Sequence, residues 1–190
     1  MSRAAREARN ELRFLTGVLC DADDHVVTRC LEEGLLGRLQ SWWGLMGVHR
    51  ALMLEALHLL ATLCASGPKG KRALLPPLQG GGGRPLIRGV CDMIKIKRLG
   101  PRRGLDASCF VLGLEVLGSM ALSAETRSFL WRGSLLRDVA GLWDTAEGET
   151  LEDVSQRLAI LQLMTNVAAT GHQGRKVLLR ECLLLSLIHI

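Results

Sequence analysis

"LHLLATLCASGPKGKRALL", residues 57–75, is written again 104 residues later as "LQLMTNVAATGHQGRKVLL", residues 161–179. Leu57, Leu60, Ala61 and Cys64 make an i, i+3, i+4, i+7 stripe, and Leu161, Met164, Thr165 and Ala168 take the same places. That spacing marks one face of an α-helix. Gly67 and Gly171 fall where each helix would end, a place that favours glycine because it tolerates positive φ. Lys71 and Arg72 match Arg175 and Lys176, and "ALL" then matches "VLL". Each stretch therefore reads as a long helix, a glycine turn and a second helix, with Leu60 and Met164 expected to be buried at corresponding places.

Two weaker copies follow from the same template. "LEVLGSMALSAETRSFLW", residues 114–131, fits with one residue deleted at the turn, and "FLTGVLCDADDHVVTRCLEEGLLGRL", residues 14–39, fits upstream. The four units are spaced by 44, 57 and 47 residues. Helical solenoid repeats have periods of about 40 to 47 residues, and a helix pair of that size must stack on neighbours to bury its apolar face. Composition agrees: 48% of residues are hydrophobic, and there are only three Phe and no Tyr. Leu and Ala dominate instead, a helix former's palette. The expectation is an all-α chain, a single repeat domain over residues 1–190. Its repeat cores lie at about 10–40, 48–78, 105–143 and 150–187, with a Gly/Arg/Lys-rich insert at 79–104.

"LAILQLMTNVAATGHQGRKVLLRECLLLSL", residues 158–187, resembles an armadillo repeat. It has a long helix ending in Asn-aliphatic-Ala, a short turn, a basic-acidic helix start and a Leu-rich helix. The likeness runs from about residue 10 to residue 187. It implies a right-handed α-solenoid of about four armadillo-like repeats, a fragment of a longer array, serving as a non-catalytic protein-binding scaffold. In armadillo proteins an Asn on the long third helix holds the backbone of a partner peptide in a concave groove. Here Asn166 matches, with Thr62, Ser119 and Val18 at the equivalent positions. The Trp often found four residues earlier is Gln162, and His58, Glu115 and Phe14 elsewhere. The resemblance thus places a protein-binding groove along His58, Thr62, Glu115, Ser119, Gln162 and Asn166. The missing Asn and Trp ladder weighs against a nuclear-localisation peptide as the occupant. Alternatively, Asn166 ties adjacent helices together, since buried amides are usually satisfied internally. The last repeat also bears a distant likeness to a scaffold protein of centrioles and ciliary basal bodies, which implies the cytoplasm, cytoskeleton or centrosome.

Charge is concentrated in one place. Pro76 and Pro77 should end the helix after Leu75, and "LQGGGGRP" then reads as a loop. Arg84, Arg88, Lys95, Lys97, Arg98, Arg102 and Arg103 follow against the single acid Asp92, whereas the whole chain carries only +5. "LIRGVCDMIKIKRL" forms an amphipathic helix with Leu86, Val90, Met93, Ile94 and Ile96 mostly inward. An alternative function is an adaptor that binds an acidic partner, RNA or anionic membrane through this patch. A charge run is also the ordinary face of a solvated helix, and no aromatic is interleaved to stack on bases.

Other chemistries lack their signatures. The apolar run from Leu158 to Gly174 is broken by Gln162, Thr165, Asn166, Thr170 and His172, short of a membrane span. Glu7 and Glu11 weigh against a targeting peptide. "GPKGKR" lacks the upstream Gly and following Ser or Thr of a phosphate loop, and "GGGGRP" follows a helix instead of a strand. Six scattered cysteines without C-x-x-C spacing read as small hydrophobes in a reducing compartment, and no paired zinc ligands occur. The five histidines are dispersed, and "DADD" at residues 21–24 reads as a helix cap instead of a calcium loop. No catalytic residue, metal or cofactor is expected. Trp42 and Trp43 should cover a junction between repeats. The closing "SLIHI" reads as translated sequencing adapter, so the chain is expected to be a truncated gene model.

Overall fold

A computed structural model describes residues 2–75, 86–98, 107–131, 134–143 and 150–188. Every regular element among them is a helix: α1 (Arg3–Cys20), α2 (Asp24–Glu32), α3 (Leu35–Met46), α4 (Arg50–Ala65), α5 (Pro68–Ala73), α6 (Leu86–Arg98), α7 (Ala107–Ala121), α8 (Arg127–Leu130), α9 (Leu135–Ala140), α10 (Leu151–Ala169) and α11 (His172–Ile188). The chain is all-α, as its composition implies. Local chemistry sets the helix starts. Ser2 accepts from the Ala5 amide at α1, and Thr150 accepts from the Asp153 amide at α10. The acid run at residues 21–24 acts as a cap: Asp23 Oδ1 accepts from the His25 and Val26 amides at 3.0 and 2.9 Å, satisfying donors that have no partner inside α2.

The chain divides into two compact units, Met1–Val90 and Cys91–Ile190, with the boundary inside α6. In the first unit α1 lies beside α4, α2 beside α5, and α3 also packs on α4. In the second, α7 lies beside α10, and α9 beside α11. Within each unit, long helix therefore packs on long helix, and α2 with α5, or α9 with α11, pack on one another. The core of the first unit is centred on α4, where Leu52, Ala56, Leu57, Leu59, Leu60 and Leu63 are all 0% exposed. Neighbours α1, α3 and α5 enclose that helix on several sides.

The repeated stretch is reproduced atom by atom at its turn. Ser66 Oγ donates to the Leu63 carbonyl at 2.9 Å, and Thr170 Oγ1 donates to the Val167 carbonyl at 2.7 Å. Gly67 and Gly171 both take positive φ, 126° and 95°, a region that side chains disfavour. Three residues further on, the next helix crosses the same carbonyl. A Cβ on Gly70 would lie 1.9 Å from Leu63 O, and one on Gly174 would lie 2.0 Å from Val167 O. In the third copy, with its one-residue deletion, the fully buried Thr126 stands at that place and its hydroxyl donates to the Met120 carbonyl. One expectation changes. Leu60 is buried, but its counterpart Met164 is only half-buried, and Leu163 is the enclosed residue of that turn. The reason is local: α10 packs on α7 and α11 and is less enclosed than α4.

Leu86, Ile87, Val90, Cys91, Met93 and Ile94 of α6 are buried, so this part of the basic segment belongs to the core. Ile96 lies outside the described side chains, and the helix stop at Pro76 and Pro77 and the loop "LQGGGGRP" lie outside the described residues. Trp43 of α3 lies flat against Gly89 of α6, where a Cβ would meet the indole at 2.5 Å. Half-buried Trp43 therefore covers the place where α3 meets α6.

These close approaches give opposite signs to glycine substitutions. Gly70→Ala and Gly174→Ala each force a methyl onto a backbone carbonyl and should lower stability by about 1–3 kcal/mol. Gly37→Ala and Gly44→Ala, in α3 with open space around them, should raise it by about 0.5–1 kcal/mol. Urea unfolding followed by helical circular dichroism reads all four.

Candidate functional site

The six groove residues separate by unit. His58 and Thr62 stand one turn apart on α4: His58 is exposed, and the half-buried Thr62 turns its hydroxyl back to donate to the His58 carbonyl at 3.0 Å. Glu115 and Ser119 stand one turn apart on α7, Gln162 and Asn166 on α10. Helices α7 and α10 lie side by side, and hydrogen bonds fix Asn166 and Gln162 at that seam. Asn166 Nδ2 donates to the Gly118 carbonyl at 3.1 Å, and Gln162 Nε2 donates to Asn166 Oδ1 at 2.9 Å. Gly118 permits this contact, since a Cβ there would come 3.1 Å from Asn166 Nδ2. Asn166 is thus a bridge between two helices, using one amide hydrogen and its oxygen internally. Gln162 and Glu115 are exposed and present the polar ends that remain available to a partner.

Of the basic patch, Arg88 and Lys95 are the members with described side chains. Both are exposed, and their i, i+7 spacing puts them on one face of α6. Lys95 Nζ lies 3.9 Å from Asp138 Oδ2. Arg84, Arg102 and Arg103 lie outside the described residues, as do the side chains of Lys97 and Arg98.

Sequence reading did not foresee three buried acids that cross-link the helices. Glu55 of α4 receives both Arg9 and Arg13 of α1, Arg9 at 3.2 Å. Glu181 of α11, 4% exposed, receives Arg137 of α9 at 2.9 Å and its neighbour Arg180 at 2.8 Å. Asp138 of α9, beside Lys95 of α6 at 3.9 Å, also accepts from Ser134 Oγ at 2.8 Å. The charges match across helices distant in sequence, so nothing in the spacing within a single helix could reveal them.

An open cleft of about 350 Å³ lies among α1, α2 and α3, lined in part by His25, Arg29, Cys30, Glu33 and Arg38. Arg38 is held by Glu11 at 2.6 Å. Among the described residues no three of His, Cys, Asp or Glu gather at metal-binding spacing, although three such side chains border this cleft. No described helix is long and apolar enough to cross a membrane. Burial pushes the Cys64 thiol up to about 12, against a smaller opposing pull from Lys71. The Cys64 thiolate, the reactive form, is thereby suppressed. Comparison of the chain with known protein families, with curated proteins and with solved structures finds no match.

Two predictions follow from these geometries. Replacing Arg9 and Arg13 together by Ala strands a buried carboxylate and should cost about 2–3 kcal/mol. This sits below the usual penalty for a broken buried pair because Arg13 is more than half exposed. Glu55→Gln leaves no buried charge and should cost about 1 kcal/mol, so urea midpoints should order the variants in that way. Thiol titration at pH 8 should label exposed Cys20 and leave Cys64 unlabelled until the chain unfolds. Because the folded state holds the Cys64 proton more tightly, stability should fall as pH climbs from 9 towards about 12.

Proposed function

We propose that the chain is a non-catalytic, protein-binding scaffold built as a right-handed α-solenoid of about four armadillo-like repeats. The observation that supports this reading is the pairing of α7 with α10, where Asn166 bonds to Gly118, the chain neighbour of Ser119. A row of polar side chains on adjacent parallel-numbered helix turns suits an extended or helical protein segment, whose backbone amides and carbonyls need partners along their length. His58 and Thr62 carry the same positions on α4. Asn166 sets the spacing of the row by bonding to Gly118, while Gln162 and Glu115 select the partner. The distant likeness of the last repeat to rotatin, a centriole and basal-body scaffold, supports a cytoplasmic or cytoskeletal setting. The adaptor reading has less support: Arg88 and Lys95 share an exposed face, yet Lys95 already has Asp138 within 3.9 Å.

Selection of a displayed peptide library against the chain tests the scaffold reading. Selected peptides should lose about tenfold in affinity with Gln162→Ala or Glu115→Ala, equivalent to about 1.4 kcal/mol, while the melting temperature stays near wild type. Asn166→Ala should lower stability by about 1 kcal/mol through the lost bond to Gly118. Peptides that bind equally well to the Gln162→Ala and Glu115→Ala variants would overturn the groove.

A further inference from the structure

Helix α10 is apolar on two opposite faces, and only one of them is covered. Ala159, Ile160, Leu163 and Val167 are buried, on the side where Asn166 and Leu163 meet Gly118 of α7. On the other side Leu151, Val154, Leu158 and Leu161 are 83%, 48%, 64% and 49% exposed. Their 3-4-3 spacing lines them up along one stripe, and four adjoining exposed aliphatics are more than the single scattered ones of an ordinary surface. Exposed Gln162 gives the stripe a polar edge on one side, as at the rim of an interface core.

Repeat equivalence says what kind of group covers it. At the 47-residue offset, Leu158, Leu161 and Thr165 of α10 correspond to Val111, Leu114 and Gly118 of α7. On α7 that row is the seat of the next long helix: Gly118 touches Asn166 and Leu163 of α10, and Leu114 is 1% exposed. The first unit uses the same position, since Arg13 of α1, equivalent to Leu161, reaches Glu55 of α4. The exposed stripe therefore continues an interface that the chain already makes.

We propose that the outer face of α10 docks an amphipathic helix from a partner protein. That helix presents a small-aliphatic stripe of the kind buried on α10 itself, Ile160, Leu163 and Val167, of which Leu163 meets Gly118 of α7. This face adjoins the polar row of Gln162 and Asn166 and does not depend on it.

A fluorescein-labelled synthetic peptide with the sequence of Leu151–Ala169, titrated with the intact chain and read by anisotropy, tests the proposal. Saturable binding is expected. Leu158→Glu together with Leu161→Glu in the chain should weaken it about a hundredfold, as expected for two aliphatic side chains removed from an interface core. Because both leucines are exposed, the melting temperature should not move. Leu158→Gln with Leu161→Gln serves as a milder pair should the glutamates disturb the helix. Ile160→Glu with Leu163→Glu in the peptide should also abolish binding. No binding, or binding that survives the changes in the chain, would overturn the proposal, the latter by showing exchange into the place of α10. Binding that survives the peptide changes would overturn it in favour of stripe-on-stripe pairing. Sedimentation of a dimer that Leu158→Glu with Leu161→Glu dissolves, without peptide binding, would give the face to a second copy and equally overturn it.

Discussion

The carbonyl that ends each repeated long helix is the constraint around which the turn is built. Leu63 O and Val167 O each accept a hydroxyl from three residues on and then meet the backbone of the following helix. A carbonyl near a helix end lacks its regular intrahelical donor, and Val167 O takes the Thr170 amide at 3.2 Å beside the Thr170 hydroxyl. The hydroxyl satisfies it, and the glycine at 70 or 174 lets the next helix approach closely enough to shield it. The third copy reaches the same end by another route, with the Thr126 hydroxyl on Met120 O. The direction of the second helix, and hence which of its residues meet the neighbouring helices, depends on this packing.

Much of that was legible in the sequence because the signals were local. The stripe from Leu57 to Cys64, the glycines at 67 and 171 and the acids before α2 each act within a turn or two of themselves. The all-helical class follows from composition and period. The burial of Met164 was misjudged because burial depends on how many helices surround a position. Leu60 and Met164 occupy the same place in the repeat, but α4 is enclosed on several sides and α10 is not.

The candidate site was less legible. Asn166 was open to two readings, peptide holder or helix tie, and the choice required knowing that Gly118, 48 residues earlier, sits beside it. The buried clamps on Glu55 and Glu181 carry no pattern at all in one dimension, since Arg13 and Glu55 stand 42 residues apart. Partner-selecting residues are exposed by necessity, and exposed polar residues obey few packing rules, so the sequence constrains them weakly.

Helix α6 has a thermodynamic consequence that reaches beyond its own packing. It is 13 residues long, and the boundary between the two compact units falls between its residues 90 and 91. Neither the five residues on one side nor the eight on the other would hold a helix alone, because nucleation is costly and isolated helices shorter than about 12 residues are marginal. Residues 86–90 and 91–98 therefore keep their helical hydrogen bonds only as one continuous element. A break in the middle of α6 therefore costs the helical hydrogen bonds of both stretches and not of one alone.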